Sequence, residues 1–292
     1  MSGGHVLCYG EIVWDCLPAG LFLGGAPLNV ARHLRAQGVA VDIASRVGSD
    51  RLGTEAVERG TREGVGTDLV QIDPGLPTGF VKVRLDTGAT PEFEIVRPAA
   101  WDAIEPTAAL LDHARRADIL VFGTLAQRSA TSRATLERLW DTQGRKIYDV
   151  NLRPPFVERE IVHRSLEAAH MVKLNEDELV RLGEWFGWSG DDRDQTGSLA
   201  GMFGCDVVCV TRGENGAALW HRGEWSEHPG FEVAVRDTVG AGDAFLATLI
   251  AGMLRGEPDD ELLRRANRVA AWVASQHGAV PATAATFDYV RV

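Results

Sequence analysis

Long apolar runs, lysines and closely spaced cysteine pairs are scarce in this sequence of 292 residues. The longest nearly apolar run, residues 244–254, falls well short of the roughly 20 residues that a membrane-spanning helix needs. The four cysteines form no C-x-x-C pair, which argues against a zinc ribbon or a redox motif. The formal net charge of −11 disfavours a nucleic-acid backbone as a partner. We therefore expect neither a membrane partner nor a nucleic-acid partner.

Several familiar functional motifs are also missing. Only three lysines occur and none follows a glycine, so the phosphate loop G-x-x-x-x-G-K-[ST] is excluded. No G-x-G-x-x-G, H-E-x-x-H or G-x-S-x-G string is present, and the eight histidines show no metal-ligand spacing. The amino terminus lacks a basic stretch followed by an apolar one, which predicts no secretory signal and a cytoplasmic protein.

From the middle of the chain onward, short β-rich runs alternate with stretches of helical spacing. The runs cover residues 118–122, 145–150, 171–174 and 206–211, and residues 129–140 are typical of the helices between them. This order predicts a parallel sheet covered by helices, with strands that are buried on both faces. Residues 187–197 are rich in turn formers and are predicted to be a loop.

Two segments carry alternating, half-polar strands instead. They are residues 11–18 and residues 78–96, and the second reads as a hairpin that turns near Gly88. The pattern predicts a small antiparallel sheet with one wet face. Such a sheet could be a flap over a site, a dimer contact or a simple edge extension, and the pattern does not choose among them.

A phosphate-binding device is predicted at residues 237–245, directly before an apolar helix. The small residues Gly240, Ala241 and Gly242 would leave backbone N–H groups exposed at a helix start, where the helix dipole also favours an anion. Asp243 could then accept a proton from a hydroxyl that attacks the bound phosphate. The alternative is that Asp243 merely caps the helix.

A second glycine element, residues 24–31, precedes another helix, and Pro27 suits its first turn. Asn29 lies inside that turn, whereas a structural asparagine would normally cap the helix. Its amide offers both a donor and an acceptor, as recognition of a polyol requires. We therefore favour a ligand contact for Asn29.

In this order and separation, the two glycine elements resemble the paired signatures of the PfkB, or ribokinase-like, family of sugar kinases. Residues 10–15, 100–102 and 149–155 resemble bacterial fructokinases most within that family. The resemblance implies an α/β fold over a single domain, residues 1–292: a ribokinase-like three-layer α/β/α arrangement with a central, mostly parallel sheet. It also implies a small β-sheet lid formed by approximately residues 11–22 and 78–98.

The resemblance assigns roles to individual positions. Asp243 would be the catalytic base beside an anion hole of Gly240, Ala241 and Gly242. Asp15, Gly25 and Asn29 would hold sugar hydroxyls, and Asn151 is a further substrate-side candidate. Arg97 and Arg153 follow motif-like strand ends near the pocket and could meet hydroxyls, phosphate or a substrate carboxylate. Asn175 would lie on the nucleotide side with Glu178, which would organise Mg²⁺ through water, and their spacing permits one helical face. Thr211 and Gly213 follow the carboxyl end of a buried strand, where open α/β sheets place ligands, and are also expected on the nucleotide side. Asn267 and Gly278 resemble the family's adenine-side positions.

Some alternatives stay open at these positions. Asp15 could be a solvated turn acid, and Asn267 could be a structural asparagine on a solvated helix face. Arg97 and Arg153 could be ordinary surface arginines. The resemblance also leaves room for K⁺ bound by backbone oxygens around Asp237 and Val239.

The implied activity is that of a sugar kinase that uses ATP and Mg²⁺, with the primary hydroxyl of fructose as acceptor and fructose 6-phosphate as product. The closest rival is a 2-keto-3-deoxygluconate kinase, in which an arginine would pair with the substrate carboxylate. Other ketoses, ribose and nucleosides are further candidates. A catalytically silent sugar-binding regulator is the alternative outside enzymes. A homodimer through the lid strands is a further hypothesis, since unpaired strand edges invite pairing.

Overall fold

The computed structural model describes residues 4–17, 20–84 and 92–281, which form thirteen β-strands and nine α-helices. The strands are β1 His5–Tyr9, β2 Val13–Leu17, β3 Gly20–Gly24, β4 Ala40–Gly48, β5 Val70–Asp73, β6 Gly79–Arg84, β7 Glu92–Ile95, β8 Ile119–Gly123, β9 Arg145–Asp149, β10 Met171–Asn175, β11 Val207–Thr211, β12 Ala217–His221 and β13 Glu224–His228. The helices are α1 Ala26–Ala36, α2 Arg51–Arg62, α3 Ala108–Arg116, α4 Ala130–Trp140, α5 Arg159–Ala168, α6 Glu176–Phe186, α7 Asp192–Phe203, α8 Ala241–Arg255 and α9 Asp259–Ala274.

Nine strands form one large sheet in the order β13-β12-β11-β10-β9-β8-β1-β4-β5. Every pair from β11 to β5 is parallel, whereas β12 and β13 add an antiparallel edge. Helical crossovers are needed to join parallel neighbours, and they place helices on both faces of the sheet.

The core lies on both faces of this sheet because successive side chains of a buried strand point to opposite sides. Leu7 packs in one apolar cluster with residues of α4, α5, α6 and α7, and its neighbour Cys8 packs in the other with residues of α1, α8 and α9. The helices α1, α8 and α9 also pack on one another, with α8 between the other two. The predicted three-layer α/β/α arrangement is confirmed.

A separate four-stranded sheet has the order β3-β2-β6-β7. The predicted hairpin is present as the antiparallel pair β6–β7, but its turn at Gly88 lies outside the described residues, as do residues 18–19. The expectation of a wholly antiparallel sheet is wrong, since β2 pairs with β6 in parallel. Along the chain, β2 follows β1 and β6 follows β5, so both strands begin at the carboxyl edge of the large sheet. They therefore run in the same direction.

The predicted loop at residues 187–197 is correct only as far as residue 191, since α7 begins at Asp192. Asp191 caps this helix by accepting a hydrogen bond from the Asp194 N–H at 2.9 Å. Acidic residues in its first turn interact favourably with the helix dipole. Leu199 and Ala200, in the second half of the helix, are buried. The polar residues from Asp192 onward therefore form the start of a helix. Within the three described stretches, no helix has the length and apolar character that crossing a membrane requires.

Candidate active site

A pocket opens at the carboxyl ends of β1, β8 and β9, beside the start of α1. Its lining includes Glu11, Pro27, Gly123, Asp149, Asn151 and Leu246. In the large sheet, β1 lies between β4, the next strand of this sheet along the chain, and β8, which comes later. The strand order therefore reverses at β1. In open α/β sheets, ligands bind in the crevice outside such a reversal.

The helix α8 begins at the edge of this pocket. Its N-cap, Gly240, has φ 79°, and a Cβ at this position would lie 2.5 Å from the carbonyl oxygen of Ala279. The Ala241 N–H donates to Thr238 O at 3.2 Å, whereas those of Gly242 and Asp243 belong to the first turn, which has no acceptors within its own helix. Ala241, predicted as one of three anion-hole donors, therefore has its N–H engaged, whereas the rest of the turn presents backbone donors and the positive end of the helix dipole.

The half-buried carboxylate of Asp243 lies in the same first turn. Burial raises its pKa to about 6, and the nearby charge of Asp149 adds to this effect. The hydrogen bond from Asn29 and the positive charges of Lys173 and Arg153 oppose the rise. The carboxylate is thus ionised near neutral pH, with a pKa close enough to neutrality to accept a proton effectively.

Asn29 donates a hydrogen bond from Nδ2 to Asp243 Oδ2 at 2.9 Å. The contact exists because α1 and α8 pack against each other. Gly25 is the N-cap of α1 at φ 108°, where a Cβ would clash with the backbone oxygen of Glu11. Asn29 Oδ1 is buried and has no hydrogen-bond partner among the described residues. The structure therefore brings the two glycine elements together around one carboxylate and one free acceptor.

A buried ion pair beneath the first turn of α8 was not predicted. Lys173 and Asp149 are register partners on β10 and β9, and Lys173 Nζ donates to Asp149 Oδ1 at 3.0 Å. A Cβ at Gly242 would lie 3.2 Å from that Nζ. The signal was present in the sequence, because a charged residue inside an otherwise apolar, doubly buried strand needs a partner.

Burial lowers the pKa of the Lys173 ammonium, but the carboxylates of Asp149, Glu178 and Asp243 outweigh it and hold that pKa above its ordinary value. Glu11, which lines the same pocket, has its pKa raised to about 7 by burial. These charged groups therefore influence one another's pKa around the start of α8.

Asn175 and Glu178 form a reciprocal capping box at the start of α6. Each accepts a hydrogen bond at 2.9 Å from the other's backbone N–H, and Glu178 Oε1 also accepts from the Leu152 N–H at 2.7 Å. The expectation of one shared helical face is wrong, because Asn175 is the N-cap and the last residue of β10. The box follows from the Asn-x-x-Glu sequence itself.

A divalent cation fits this region. Both Glu178 oxygens already accept backbone N–H bonds, which favours a role through water over direct ligation. Asp149 Oδ2 is buried with no hydrogen-bond partner among the described residues. Three carboxylates, Asp149, Glu178 and Asp243, surround one lysine, so a cation would compensate the excess negative charge.

Asp15 and Arg153 are two charged residues among the positions predicted to contact sugar. The Asp15 carboxylate on β2 covers Gly24, where a Cβ would lie 2.7 Å from Oδ2, and burial raises the pKa of Asp15 to about 6. Arg153 is exposed, and its positive charge opposes the rise in the pKa that burial causes at Glu11, Asp15 and Asp243.

Asn151 and Arg97 have different surroundings. Asn151 lines the pocket with φ 39°, in the left-handed region that asparagine tolerates better than most residues. Arg97 is exposed, and its guanidinium lies over the Phe156 ring at 5.4 Å. Phe156 also packs against the guanidinium of buried Arg128.

The positions predicted for the nucleotide are only partly gathered. Thr211 is the register partner of Asn175 at the carboxyl end of β11, and Gly213 follows in the next turn at φ 55°. Asn267 is buried on α9, where its amide donates to Leu263 O of the same helix at 2.8 Å. The alternative of a structural asparagine on a solvated helix face is therefore wrong, because the Asn267 side chain is buried.

Gly278 lies beside the turn that precedes α8. Its N–H donates to Asp237 Oδ2 at 3.1 Å, while Asp237 Oδ1 accepts from the Val239 N–H at 3.0 Å. The next carbonyl, of Ala279, contacts the ring nitrogen Nε2 of buried His33 at 3.0 Å. These contacts fix the turn that leads into Gly240.

Comparison with known proteins identifies relatives across the chain. Residues 6–285 match the model of the pfkB family carbohydrate kinases. The chain is 31% identical over 275 residues to a fructokinase of Klebsiella pneumoniae, with 88% of this chain and 87% of the relative covered. It is 30% identical over 292 residues to a fructokinase of Escherichia coli, with 94% of each covered.

Solved structures resemble the fold over a similar span. An uncharacterized sugar kinase from Pyrococcus horikoshii, in complex with ATP, superposes with a TM-score of 0.80 at 28% identity. The similarity covers 94% of this chain and 93% of that one.

Proposed function

Since the chain belongs to the PfkB family of carbohydrate kinases, we propose that it transfers the γ-phosphoryl group of ATP to the primary hydroxyl of fructose, giving fructose 6-phosphate. One observation carries the proposal: the Asp243 carboxylate lies in the first turn of α8, where Asn29 holds it at 2.9 Å. The match to a sugar kinase in complex with ATP supports the nucleotide.

In this mechanism Asp243 accepts the proton of the attacking sugar hydroxyl. Asn29 Nδ2 fixes one carboxylate oxygen, and its free Oδ1 accepts a hydrogen bond from a sugar hydroxyl. Backbone N–H groups of Gly240 and Gly242, with the dipole of α8, stabilise the charge on the transferring phosphoryl group. Lys173 adds a positive charge next to Gly242.

Magnesium is the divalent cation that this proposal assigns to ATP. Glu178 would hold it through water, and Asp149 Oδ2 offers a further acceptor. The bound ion would neutralise phosphate charge and orient the phosphates for transfer. Thr211, Gly213 and Gly278 would line the nucleotide side, with Asn267 behind them, and K⁺ near Asp237 remains part of the proposal.

The small sheet is proposed to act as the lid. Asp15 lies on its strand β2, so a sugar held by this carboxylate would connect the lid to the pocket. Closing over the substrate would exclude water and suppress idle hydrolysis of ATP. The edge strands β3 and β7 are also the proposed surface of a homodimer, which sedimentation tests directly: a strict monomer would contradict it.

Fructose is proposed because the Klebsiella pneumoniae and Escherichia coli relatives are fructokinases at 31% and 30% identity. A sugar acid such as 2-keto-3-deoxygluconate is the second candidate. Arg153 favours it, because this exposed arginine places a positive charge near Asp15 and Asp243 and could pair with a substrate carboxylate.

Both proposals are tested by following ADP release over fructose, 2-keto-3-deoxygluconate, ribose and nucleosides. We expect fructose to give the highest kcat/KM. The variant Arg153→Leu separates the candidates, because it should lower kcat/KM for the sugar acid far more than for fructose if the acid is the substrate. A higher kcat/KM for the acid in the wild type would overturn the choice of fructose.

The chemical role of Asp243 is tested with Asp243→Asn. We expect kcat to fall by about 10²–10⁴-fold with little change in sugar affinity, because the amide keeps the shape but cannot accept the proton. Asp191→Asn is the matched control, since Asp191 is also a carboxylate at a helix N-terminus but caps α7, where it accepts from the Asp194 N–H. Wild-type kcat in Asp243→Asn would refute the mechanism, and no turnover of any sugar by the wild type would favour a sugar-binding regulator.

A further inference from the structure

Three side chains with metal-ligating atoms converge at the amino edge of the large sheet. His5 is the first residue of β1, Asp42 is the third of β4, and His113 lies on α3. The pocket lies at the carboxyl ends of β1, β8 and β9, so this cluster occupies the opposite edge of the same parallel sheet. No spacing in the sequence indicates this cluster, because His5 and Asp42 are 37 positions apart and Asp42 and His113 are 71 apart.

The geometry of the cluster is compact. His113 Nε2 lies 3.0 Å from Asp42 Oδ2, and His5 Nε2 contacts the same oxygen atom. The two imidazole rings meet edge to face with their centroids 4.8 Å apart. One ligand atom from each residue lies within 4.8 Å of the other two. A single ion can therefore reach all three side chains.

The backbone around these residues is fixed by several contacts. The His5 N–H donates to Asp118 Oδ2 at 2.7 Å, and the Asp118 N–H donates back to His5 O at 2.9 Å. Asp42 is bridged to Gly66, where any Cβ would clash with the carboxylate. The side chains are only 18–28% exposed. Two of the three residues are therefore held on sheet strands before any ion binds.

We propose that His5, Asp42 and His113 bind one Zn²⁺ ion, with water as the fourth ligand. Two imidazole nitrogens and one carboxylate oxygen form a donor set that suits zinc, which accepts four ligands in a tetrahedron. Mg²⁺ prefers oxygen ligands in an octahedron, so this site would discriminate against the ion proposed for ATP. The site is therefore separate from the kinase chemistry both in place and in metal.

Zinc at this position would connect β1, β4 and α3 at the edge of the sheet opposite the proposed substrate pocket. An ion that binds the folded chain only stabilises it by mass action. At free Zn²⁺ about 100-fold above the Kd, this predicts a rise in melting temperature of roughly 5 °C. Sugar phosphorylation supported by Mg²⁺ should be unaffected at that occupancy.

The test uses the untagged, full-length protein, stripped of metal with a chelator and titrated with ZnCl₂ by calorimetry and thermal denaturation. We expect one high-affinity ion per chain. His113→Gln and Asp42→Asn should each weaken that binding by at least about tenfold and abolish the rise in melting temperature. His221→Gln is the matched control, because His221 also pairs with a carboxylate, that of Asp259 at 3.0 Å, and should leave zinc binding unchanged.

Zinc affinity that is the same in His113→Gln as in the wild type would overturn the proposal, and so would the loss of zinc binding in His221→Gln. His113 lies on a partly exposed helix face, so its variant is expected to fold, and circular dichroism checks this. If Asp42→Asn fails to fold, His113→Gln decides the question alone. Because the readouts are metal binding and thermal stability, the result does not depend on which sugar the enzyme uses.

Discussion

The side-chain amide of Asn29 donates to the carboxylate of Asp243 at 2.9 Å, although the two residues are 214 positions apart in the chain. The contact joins the first turn of α1 to the first turn of α8. It makes one site of two glycine elements, each of which is too short to define a site alone. In the proposed mechanism, it also couples sugar recognition by Asn29 to the protonation state of the proposed base.

Asn29→Ala should therefore shift the pH dependence of catalysis. The Asn29 hydrogen bond lowers the pKa of Asp243, so its removal should raise that pKa above about 6. We expect the acid limb of kcat/KM to move upward by roughly one pH unit and the KM for sugar to rise. The measurement is a pH–rate profile with the preferred sugar.

Gln37→Ala is the control for that variant. Gln37 Nε2 donates to Thr248 Oγ1 at 3.2 Å and thus also links the α1 segment to α8, but away from the proposed base. It should change stability slightly and leave the acid limb in place. An unshifted acid limb in Asn29→Ala would show that the amide does not tune Asp243.

Asp243→Asn should be more stable than the wild type near neutral pH. The raised pKa of Asp243 means that its contribution to stability is fully present below about pH 4 and is lost as pH rises through about 6. A neutral amide avoids this loss, so we expect a gain of up to about 3 kcal/mol at pH 7 that vanishes toward pH 4. Urea denaturation across this range measures it.

Asp50→Asn should show the opposite sign. Burial raises the pKa of Asp50, but hydrogen bonds from Thr78 and Gly53 outweigh it and hold that pKa below its ordinary value. Its contribution is present above the ordinary aspartate pKa and is lost as pH falls below it. Equal pH dependence in both variants would contradict the assignment for Asp243.

Lys173→Met should both destabilise the fold and alter the base. Removing one partner of a buried ion pair costs about 3–5 kcal/mol, because the remaining carboxylates lose their counter-charge. The pKa of Asp243 should rise further, since Lys173 lowers it. The free energy of unfolding and the pH–rate profile are the two measurements, and adding Asp149→Asn should recover part of the stability.

Lys146→Met provides the comparison. Lys146 is also buried, on the neighbouring strand β9, but its ammonium donates to the backbone oxygen of Thr142. We expect a smaller loss of stability and an unchanged acid limb. The assigned role of Lys173 would be wrong if the two lysine variants behaved alike.

Gly240→Ala and Gly256→Ala separate backbone strain from steric clash at the two ends of α8. Both glycines are left-handed, at φ 79° and 73°, so each substitution should cost about 1–2 kcal/mol. Only Gly240 lies against Ala279, whereas Gly256 has open space. We expect Gly240→Ala to lose more stability and also kcat, as measured by urea denaturation and turnover. Equal losses would show that the close packing has no separate effect.

Much of the architecture was readable in advance because it depends on local periodicity. The apolar runs at residues 118–122 and 206–211 became β8 and β11, and the helical spacing of residues 129–140 became α4. The start of α7 was missed because its capping acid, Asp191, lies among turn formers that equally suit a loop. The parallel pairing of β2 with β6 was missed because strand direction depends on distant connections.

The sequence by itself determined the alternation of strands and helices, the two glycine turns and the family, since these depend on residue types at short spacing. Only the tertiary structure decided which charges share a site: Lys173 with Asp149, Asn29 with Asp243, and His5 with Asp42 and His113. Contacts between residues far apart in the chain depend on strand order and helix packing, and charge interactions act through distance in space. Local patterns contain neither.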